Sequence, residues 1–252
     1  MSISAIGIIP ARYESTRFPG KPLVIIGDKS MIRRVYEQAS GCSSLVKVII
    51  ATDDSRIFEH VLSFGGEVMM TSKEHTSGTS RLAEVIEKLT LEHPELHFDV
   101  AVNIQGDEPF IDPEQINKVI ALFENDKVQI ATLIKQISDG TDIFNPNVVK
   151  VVVDHNFKAL YFSRSAIPHA RGEDQMNWVL NQSYFKHIGL YAYHADLVKI
   201  LATLPVAEIE TAESLEQLRW LYHGYSISAA ITDIETIGID TPDDLLKLTN
   251  IY

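Results

Sequence analysis

The first half of the chain alternates between strand-like and helix-like patterns, and this alternation limits the folds open to it. Ile3–Ile9 is a β-branched apolar run, and Met31–Ser40 carries apolar residues at helical spacing. The same rhythm continues with predicted strands at Val46–Ala51, Glu67–Met70 and Asp99–Ile104 and predicted helices at Ile57–Phe64 and Thr79–Leu91. Strands that alternate with helices predict a mostly parallel sheet with helices on both faces, an α/β fold.

Beyond Asp107 the alternation gives way to a run of strands. A helix at Pro113–Phe123 is followed by predicted strands at Ile130–Gln136, Val148–Asp154, Ala159–Ser163 and His187–Tyr193, with little helix between them. The remaining predicted elements are one helix at Glu208–Tyr222, a strand at Ser226–Thr232 and a helix at Pro242–Asn250. This pattern predicts an antiparallel extension or a smaller second lobe, within one unit of residues 1–252.

Composition excludes several classes of protein. The chain has 252 residues and a formal net charge of −12, which argues against a nucleic-acid binder or a protein of anionic membrane surfaces. No apolar run reaches the roughly 20 residues of a membrane span. The single cysteine, Cys42, excludes an internal disulfide and fits a reducing compartment. We therefore expect a soluble cytoplasmic protein, without a nucleic-acid or membrane partner.

The loop after the first strand concentrates positive charge in this acidic chain. Arg12, Arg17 and Lys21 lie between Pro10 and Pro22. Loops at the carboxyl ends of parallel strands are where ligands bind in such sheets, so the loop predicts a polyanionic ligand, first of all a nucleoside triphosphate. The spacing excludes a Walker-A loop, and the chain has no Gly-x-Gly-x-x-Gly dinucleotide fingerprint. A nicotinamide-dependent oxidoreductase is therefore poorly supported.

Two further strand ends offer polar groups to such a ligand. Thr52 and Asp53 follow the second strong strand, where Asp54 is explained equally well as a helix N-cap. Ser77, Gly78 and Arg81 lie in a hydroxyl-rich segment that begins a helix, whose free N–H groups favour anions and base carbonyls. One Ser or Thr would suffice as a cap, so the density of hydroxyls favours nucleotide contact.

Two aspartates at separate strand ends are candidate ligands for a metal ion. Asp107 follows Gln105 and Gly106 directly after a strand, and Glu108 before Pro109 is interpreted as structural. Asp240 precedes a helix start that explains Asp243 and Asp244 as partners of the helix dipole, but leaves Asp240 unexplained. Hard cations bind carboxylate oxygens, so the pair predicts one shared metal ion.

The second half offers candidates with weaker signals. Arg164 follows an aromatic strand and is equally well explained as an anion clamp, whose fork suits a carboxylate, or as a surface cation. His187 lies alone in a strand, where a histidine is more often structural than catalytic.

In this order along nearly the whole chain, the motifs resemble the 3-deoxy-manno-octulosonate cytidylyltransferase family of sugar nucleotidyltransferases. The matching segments are Pro10–Leu23, Ala51–Asp53, Ser77–Thr79, Gln105–Pro109, Tyr161–Arg164, His187–Tyr191, Leu215–Arg219 and Asp240–Pro242. The Tyr-Phe-Ser-Arg and Leu-Glu-Gln-Leu-Arg segments make the combination specific. Departures at Glu14, Phe18 and Ala192 touch no residue assigned to chemistry.

The resemblance implies a fold and a reaction. The fold is a Rossmann-like three-layer sandwich of the nucleotide-diphospho-sugar transferase type, with residues 1–125 mainly binding CTP and residues 126–252 mainly binding sugar and forming a homodimer. The reaction is transfer of CMP from CTP to 3-deoxy-manno-octulosonate (Kdo), with Mg²⁺ as cofactor, before Kdo enters lipopolysaccharide.

The resemblance also implies roles for individual residues. The implied catalytic residues are Arg12, Lys21, Asp107 and Asp240, the last two as ligands of Mg²⁺. The implied nucleotide-binding residues are Pro10, Ala11, Arg12, Arg17, Lys21, Thr52, Asp53, Ser77, Gly78, Arg81, Gln105 and Asp107. The implied sugar-binding residues are Arg164, His187, Tyr191, Glu216 and Gln217.

Two alternatives remain open at this point. A sister enzyme could use another acidic sugar, such as sialic acid or an amino-substituted Kdo, and the sequence does not separate these substrates. A non-catalytic nucleotide sensor on the same fold is the other, although a sensor has no need of both Asp107 and Asp240.

Overall fold

The computed structural model describes residues 3–14, 18–235 and 237–249, so Arg17 lies outside the described residues. The strands in this part of the chain are β1 (Ala5–Ala11), β2 (Ile25–Ile26), β3 (Lys29–Ser30), β4 (Leu45–Thr52), β5 (Val68–Met70), β6 (Val100–Asn103), β7 (Ile130–Gln136), β8 (Lys150–Val153), β9 (Ala159–Ser163), β10 (Phe185–His194) and β11 (Ile227–Ile231).

The helices are α1 (Met31–Ser40), α2 (Ser55–Ser63), α3 (Gly78–Glu92), α4 (Pro113–Ala121), α5 (Gly140–Phe144), α6 (Trp178–Asn181), α7 (Ala195–Thr203), α8 (Glu208–Glu213), α9 (Gln217–Tyr222) and α10 (Pro242–Thr249). Short 3₁₀ turns lie at Lys21–Leu23, Leu122–Glu124 and Gln175–Asn177.

One mixed sheet organises the molecule. Its strand order is β11-β7-β10-β6-β1-β4-β5, and within this row only β10 runs antiparallel to its neighbours. The hairpin β8–β9 extends the sheet by pairing Lys150 and Val151 with Lys186 and Phe185 of β10. The predicted mostly parallel α/β sheet with a smaller antiparallel part is therefore confirmed.

Apolar clusters on the two faces of the sheet produce the three layers. Successive side chains of a strand point to opposite faces, so Ile9 packs on one side with Val35 of α1, and Ile8 packs on the other with Leu82 of α3. Those four side chains are fully buried. Helices whose apolar stripes match these faces therefore cover the sheet from both sides, as the periodicity predicts.

One prediction for the second half is wrong, and one helix is not predicted at all. Glu208–Tyr222 is not one helix but α8 and α9, because Ser214 between them has a left-handed backbone (φ 53°) that cannot continue a right-handed helix. The sequence analysis assigns no element between Tyr193 and Glu208, where the structure has α7, with Val198 and Leu201 fully buried on the α3 side of the sheet. In a helix of nine residues the apolar spacing repeats only a few times, so the sequence gives little sign that one face is buried.

The topology brings the candidate loops to one edge of the sheet. β1 pairs in parallel with β4 and β6, with Ala11 opposite Thr52 and Ile8 opposite Asn103. The chain therefore leaves all three strands in the same direction, and the residues that follow them meet above the carboxyl edge.

Candidate active site

A cleft of about 680 Å³ opens at this edge. The sequence-predicted residues that line it are Pro10, Ala11, Arg12, Lys21, Ser77, Gly78, Arg81, Gln105, Asp107 and Glu216. Residues from both halves of the chain thus share one cavity, which is large enough for a small-molecule ligand.

Glycine allows two of the loops that build the cleft to approach each other closely. A Cβ on Gly106 would lie 2.7 Å from the backbone oxygen of Pro10, a separation that side-chain carbons do not adopt. A Cβ on Gly78 would lie 3.1 Å from the side-chain nitrogen of Asn103. The loop carrying Asp107 can therefore rest directly against the end of β1.

Asp107 and Asp240, the predicted metal ligands, both pair with the Lys21 ammonium. The Lys21 ammonium lies 2.8 Å from Oδ2 of Asp107 and 3.2 Å from Oδ1 of Asp240. The backbone N–H of Ile239 donates to the Asp107 carbonyl at 2.9 Å, which brings the two chain segments together. Lys21 is only 14% exposed, so the three charges interact in a partly desolvated place.

The donor set fits a hard divalent cation that keeps several waters. Two carboxylates from different segments already hold a positive charge between them. Over the described ranges, no group of three or more His, Cys, Asp or Glu side chains is placed to hold a metal ion. Mg²⁺ typically takes one or two protein carboxylates and completes its shell with water and phosphate oxygens, which this pair permits.

Arg81 and Asp53 form a buried ion pair beneath the cleft. Arg81 is fully buried, and its Nη2 donates to Oδ2 of Asp53 at 2.8 Å while Nη1 contacts the Thr71 hydroxyl. Thr52 is also fully buried, with its hydroxyl oxygen accepting from the Asp54 N–H. Asp54 caps α2 through a bond from the Arg56 N–H, as predicted. Neither Asp53 nor Thr52 lines the cleft.

Arg12 lies above this pair with spare hydrogen-bonding capacity. Burial, and then repulsion by Arg81, lower the pKa of its guanidinium, while Asp53 opposes the shift. Within the described part of the chain, its buried Nη2 has no hydrogen-bond partner. A buried cationic donor without an acceptor is costly, so an anionic ligand at Arg12 relieves this cost.

The opposite wall of the cleft also has unsatisfied polar atoms. Oε2 of Glu216 accepts from the Thr79 hydroxyl at 3.0 Å, and burial raises the pKa of the Glu216 carboxyl. Among the described residues, two buried polar atoms of the cleft lining have no partner, Asn103 Oδ1 and Glu216 Oε1. The same holds for Tyr191 OH, Tyr193 OH and Gln217 Nε2, whose residues do not themselves line the cleft. Buried polar groups are nearly always paired, so this wall favours a ligand rich in hydroxyls or ordered water.

Arg164 and His187 do not reach the wall of the cleft. Arg164 donates from Nε to the backbone oxygen of Glu213 at 2.7 Å and from Nη1 to that of Pro146 at 3.1 Å. His187 bonds through Nε2 to the Thr132 hydroxyl at 3.0 Å. Its assignment as sugar-binding, like that of Arg164, stays a prediction.

Sequence reasoning missed Asn103 and Tyr193. Both are polar-tipped residues near the ends of strands, and Asn103 lines the cleft while Tyr193 is fully buried. Asn103 interrupts an otherwise apolar strand, and that interruption was the available signal. Glu108 is buried as a structural role requires, and burial followed by repulsion from Asp107 raises its pKa to about 8.

Comparison with known proteins identifies the family. A cytidylyltransferase family model matches residues 6–233. The chain is 51% identical over 250 residues to the 3-deoxy-manno-octulosonate cytidylyltransferase of Cytophaga hutchinsonii, covering 99% of this chain and 98% of the relative. The protein of the same name from Bacteroides thetaiotaomicron is 53% identical over 243 residues, with coverages of 95% and 94%. This chain belongs to the 3-deoxy-manno-octulosonate cytidylyltransferase family.

Solved structures agree with this membership of the 3-deoxy-manno-octulosonate cytidylyltransferase family. CMP:2-keto-3-deoxy-manno-octonic acid synthetase, solved in complex with CTP, matches with a TM-score of 0.89 at 40% identity, covering 98% of both chains. A 4-diphosphocytidyl-2C-methyl-D-erythritol synthase from Anaerococcus prevotii matches with a TM-score of 0.61 at 14% identity, covering 100% of this chain and 99% of the other, and supports the fold alone. The resemblance stated from the motifs is confirmed.

The described helices of this cytidylyltransferase include none with the length and apolar character that crossing a membrane requires.

The close approach at Gly106 yields a test of how the cleft is built. We expect Gly106→Ala to lower the free energy of unfolding by about 1–3 kcal/mol, because the added carbon meets backbone rather than a movable side chain. Gly238→Ala is the matched control, since a Cβ there meets nothing within 4 Å. Urea denaturation measures both, and equal midpoints would contradict the close approach.

The environment of His187 gives a pH dependence with a definite sign. Burial lowers the pKa of His187 to about 3, against about 6.5 in an unfolded chain. Between these values the unfolded state binds a proton that the folded state does not, so stability falls as the pH falls. We expect up to about 2 kcal/mol of loss between pH 7 and pH 5 from this group.

His187→Gln should flatten the pH profile of stability by that amount, whatever its effect at pH 7. His155→Gln, at an exposed position, is the control. Urea denaturation at the two pH values decides, and an unchanged slope in His187→Gln would mean that His187 takes up its proton in the folded state as well.

Proposed function

We propose that this protein is a Mg²⁺-dependent enzyme that transfers CMP from CTP to Kdo and releases pyrophosphate. The observation that carries the proposal is the full-length identity of about half with proteins named for this reaction, together with the match to a synthetase solved with CTP. The Arg12 and Lys21 side chains, placed at the carboxyl edge of the sheet, support it independently.

The reaction needs positioning and charge stabilisation more than covalent chemistry from the protein. An oxygen of the sugar's anomeric hydroxyl bonds to the α-phosphorus, and the bond from that phosphorus to the bridging oxygen of pyrophosphate breaks. The hydroxyl proton passes to solvent, and pyrophosphate leaves with the bridging electrons. Arg12 and Lys21 then serve to bind the triphosphate and offset the charge that develops on the leaving group.

The charge balance of the cleft supports a requirement for a metal ion. Among its described lining residues, the cations Arg12, Lys21 and Arg81 face the carboxylates of Glu14, Asp107 and Glu216. Arg81 is already paired with Asp53, and Lys21 lies between Asp107 and Asp240. The protein alone therefore supplies little net positive charge for a triphosphate, so a cation must accompany it.

Asp107 and Asp240 are the residues that would hold this cation. A divalent cation there would supply positive charge for the phosphate oxygens and would favour ionisation of the attacking hydroxyl. Lys21 neutralises the two carboxylates when no divalent cation is present. With a divalent cation on the two carboxylates, the Lys21 ammonium would be available to the triphosphate.

The acceptor is assigned to the wall with unsatisfied polar atoms. Glu216 and Gln217 offer a buried carboxyl oxygen and amide nitrogen, and the Tyr191 hydroxyl lies in the same region. A polyhydroxylated sugar acid presents donors and acceptors in numbers that match such a wall.

The proposal also includes a cytoplasmic location and a homodimer that uses strands between Val148 and Tyr193. Light scattering tests the dimer.

The first experiment is pyrophosphate release from CTP and Mg²⁺ with Kdo, its amino-substituted relative and sialic acid run in parallel. Release with Kdo, at a kcat/KM well above those of the others, is the expected result. Release with another sugar would support the mechanism but change the assigned substrate. No release with any of the three sugars would contradict the proposed function and favour a nucleotide sensor.

The carboxylate pair predicts the response of the activity to metal. We expect Asp107→Asn and Asp240→Asn to lower kcat/KM on the order of 100-fold or more, the scale of losing one charge-stabilising group. Half-maximal activity should also need a higher Mg²⁺ concentration. Asp243→Asn is the matched control, an exposed aspartate at the start of α10. Retention of activity in both pair variants would remove the metal role.

Replacing Lys21 should change activity and metal affinity in opposite directions. Lys21→Met should lower kcat/KM on the order of 100-fold, because the triphosphate loses a cation. The same variant should bind Mn²⁺ more tightly in the absence of nucleotide, since no ammonium competes for the two carboxylates. Lys29→Met, which removes a more exposed ammonium paired with Glu37, is the control for both measurements. Unchanged Mn²⁺ affinity would show that Lys21 does not neutralise the pair.

A further inference from the structure

Glu213 joins two segments of the chain, the end of α8 and the end of β9. Its Oε1 accepts from the Ser163 hydroxyl at 2.5 Å, and its Oε2 accepts from the Arg164 N–H at 2.8 Å. Its backbone oxygen accepts from the Arg164 Nε at 2.7 Å. The last residue of α8 is thus held by both its side chain and its backbone to the end of β9.

Arg164, the residue to which Glu213 is bound, is itself held firmly by the sheet. Lys150 is fully buried, and its ammonium donates to the backbone oxygens of Asn145, Val148 and Arg164 at 2.6 to 2.8 Å. All three donors of this ammonium therefore have acceptors. Arg164 is fixed from below by Lys150, and so it presents a fixed surface to Glu213.

The corner between α8 and α9, which Glu213 holds, leads directly to the wall of the cleft that contains Glu216. Ser214 follows Glu213 in the left-handed conformation, and the chain then turns into Glu216 and Gln217 at the start of α9. The Glu216 carboxyl is tied to the cleft by the Thr79 hydroxyl, and in the described structure Gln217 Nε2 has no hydrogen-bond partner. The direction in which α9 starts depends on what fixes the corner.

An ion pair between α8 and α9 provides a restraint of a different kind. Arg219 of α9 forms two bonds to Glu210 of α8, at 2.6 and 2.7 Å, which fix the two helices to each other. Glu213 instead fixes the helix pair to the hairpin β8–β9. Loss of Glu213 therefore leaves α8 and α9 joined but lets them shift relative to the cleft.

We propose that Glu213 is a positioning residue, which sets where Glu216 and Gln217 meet the acceptor sugar and takes no part in nucleotide binding. This inference rests on the proposed function, because the acceptor defines the affected site. It also gives Arg164 a role that its contacts support, that of holding the corner from the sheet side.

The test is a split between the two substrates. In Glu213→Ala we expect KM for Kdo to rise at least about tenfold, equivalent to about 1.4 kcal/mol, while KM for CTP changes by less than about twofold. Glu213→Gln should fall between this variant and the wild type, because an amide oxygen still accepts one of the two bonds. Glu208→Gln, the same change at an exposed position of α8, is the matched control.

The outcomes are distinguishable. Equal increases in both KM values, or none in either, would overturn the inference while the wild-type activity with Kdo leaves the proposed function standing. Absence of wild-type activity with Kdo would overturn both. If Glu213→Ala does not fold, Glu213→Gln and Ser163→Ala decide by the same split, with circular dichroism confirming their fold.

Discussion

The contact between the ends of β1 and β6 is the constraint on which the rest of the site depends. Gly106 lets the second loop rest against the Pro10 carbonyl, and this places Asp107 beside Lys21 from the first loop. The backbone bond from Ile239 to Asp107 then recruits the segment that carries Asp240. The absence of a side chain at Gly106 therefore allows three charged groups from distant positions in the chain to meet. A side chain at residue 106 would separate the carboxylates from the ammonium before any ligand arrived.

The sequence predicted the parts of this arrangement that local rules control. Alternating patterns predicted the parallel strands, and parallel strands send their loops to one edge, so Arg12 and Asp107 could be expected to meet. The same reasoning did not predict that Arg81, which lines the cleft, is fully buried and paired with Asp53. Charge alone does not distinguish a side chain that meets a ligand from one that supports the loops around it. Only burial makes that distinction, and burial is a property of the fold.

The break between α8 and α9 shows why other features lay beyond sequence reasoning. Helical periodicity runs through Glu208–Tyr222, and serine is a poor marker of a left-handed turn. The break is stabilised by bonds from Ser163 and Arg164, which lie about fifty residues earlier. A corner held by partners that distant leaves no local signal. Its consequence is functional, because an unbroken helix would carry Glu216 in another direction.

The two walls of the cleft differ in how they are prepared for their ligands. On the nucleotide side, charged groups of the described residues are largely paired within the protein, as in Lys21 with two aspartates and Arg81 with Asp53. On the other side, buried polar atoms of Tyr191, Glu216 and Gln217 have no partner within the described part of the chain. Under the proposed function, internal pairs keep the first wall neutral until a divalent cation and a polyanion arrive together. The second wall is costly to leave unsatisfied, so the proposal requires that it be held rigidly to favour one arrangement of hydroxyls. On the same proposal, rigid support from the hairpin β8–β9 is as necessary to acceptor recognition as the residues that face the cleft.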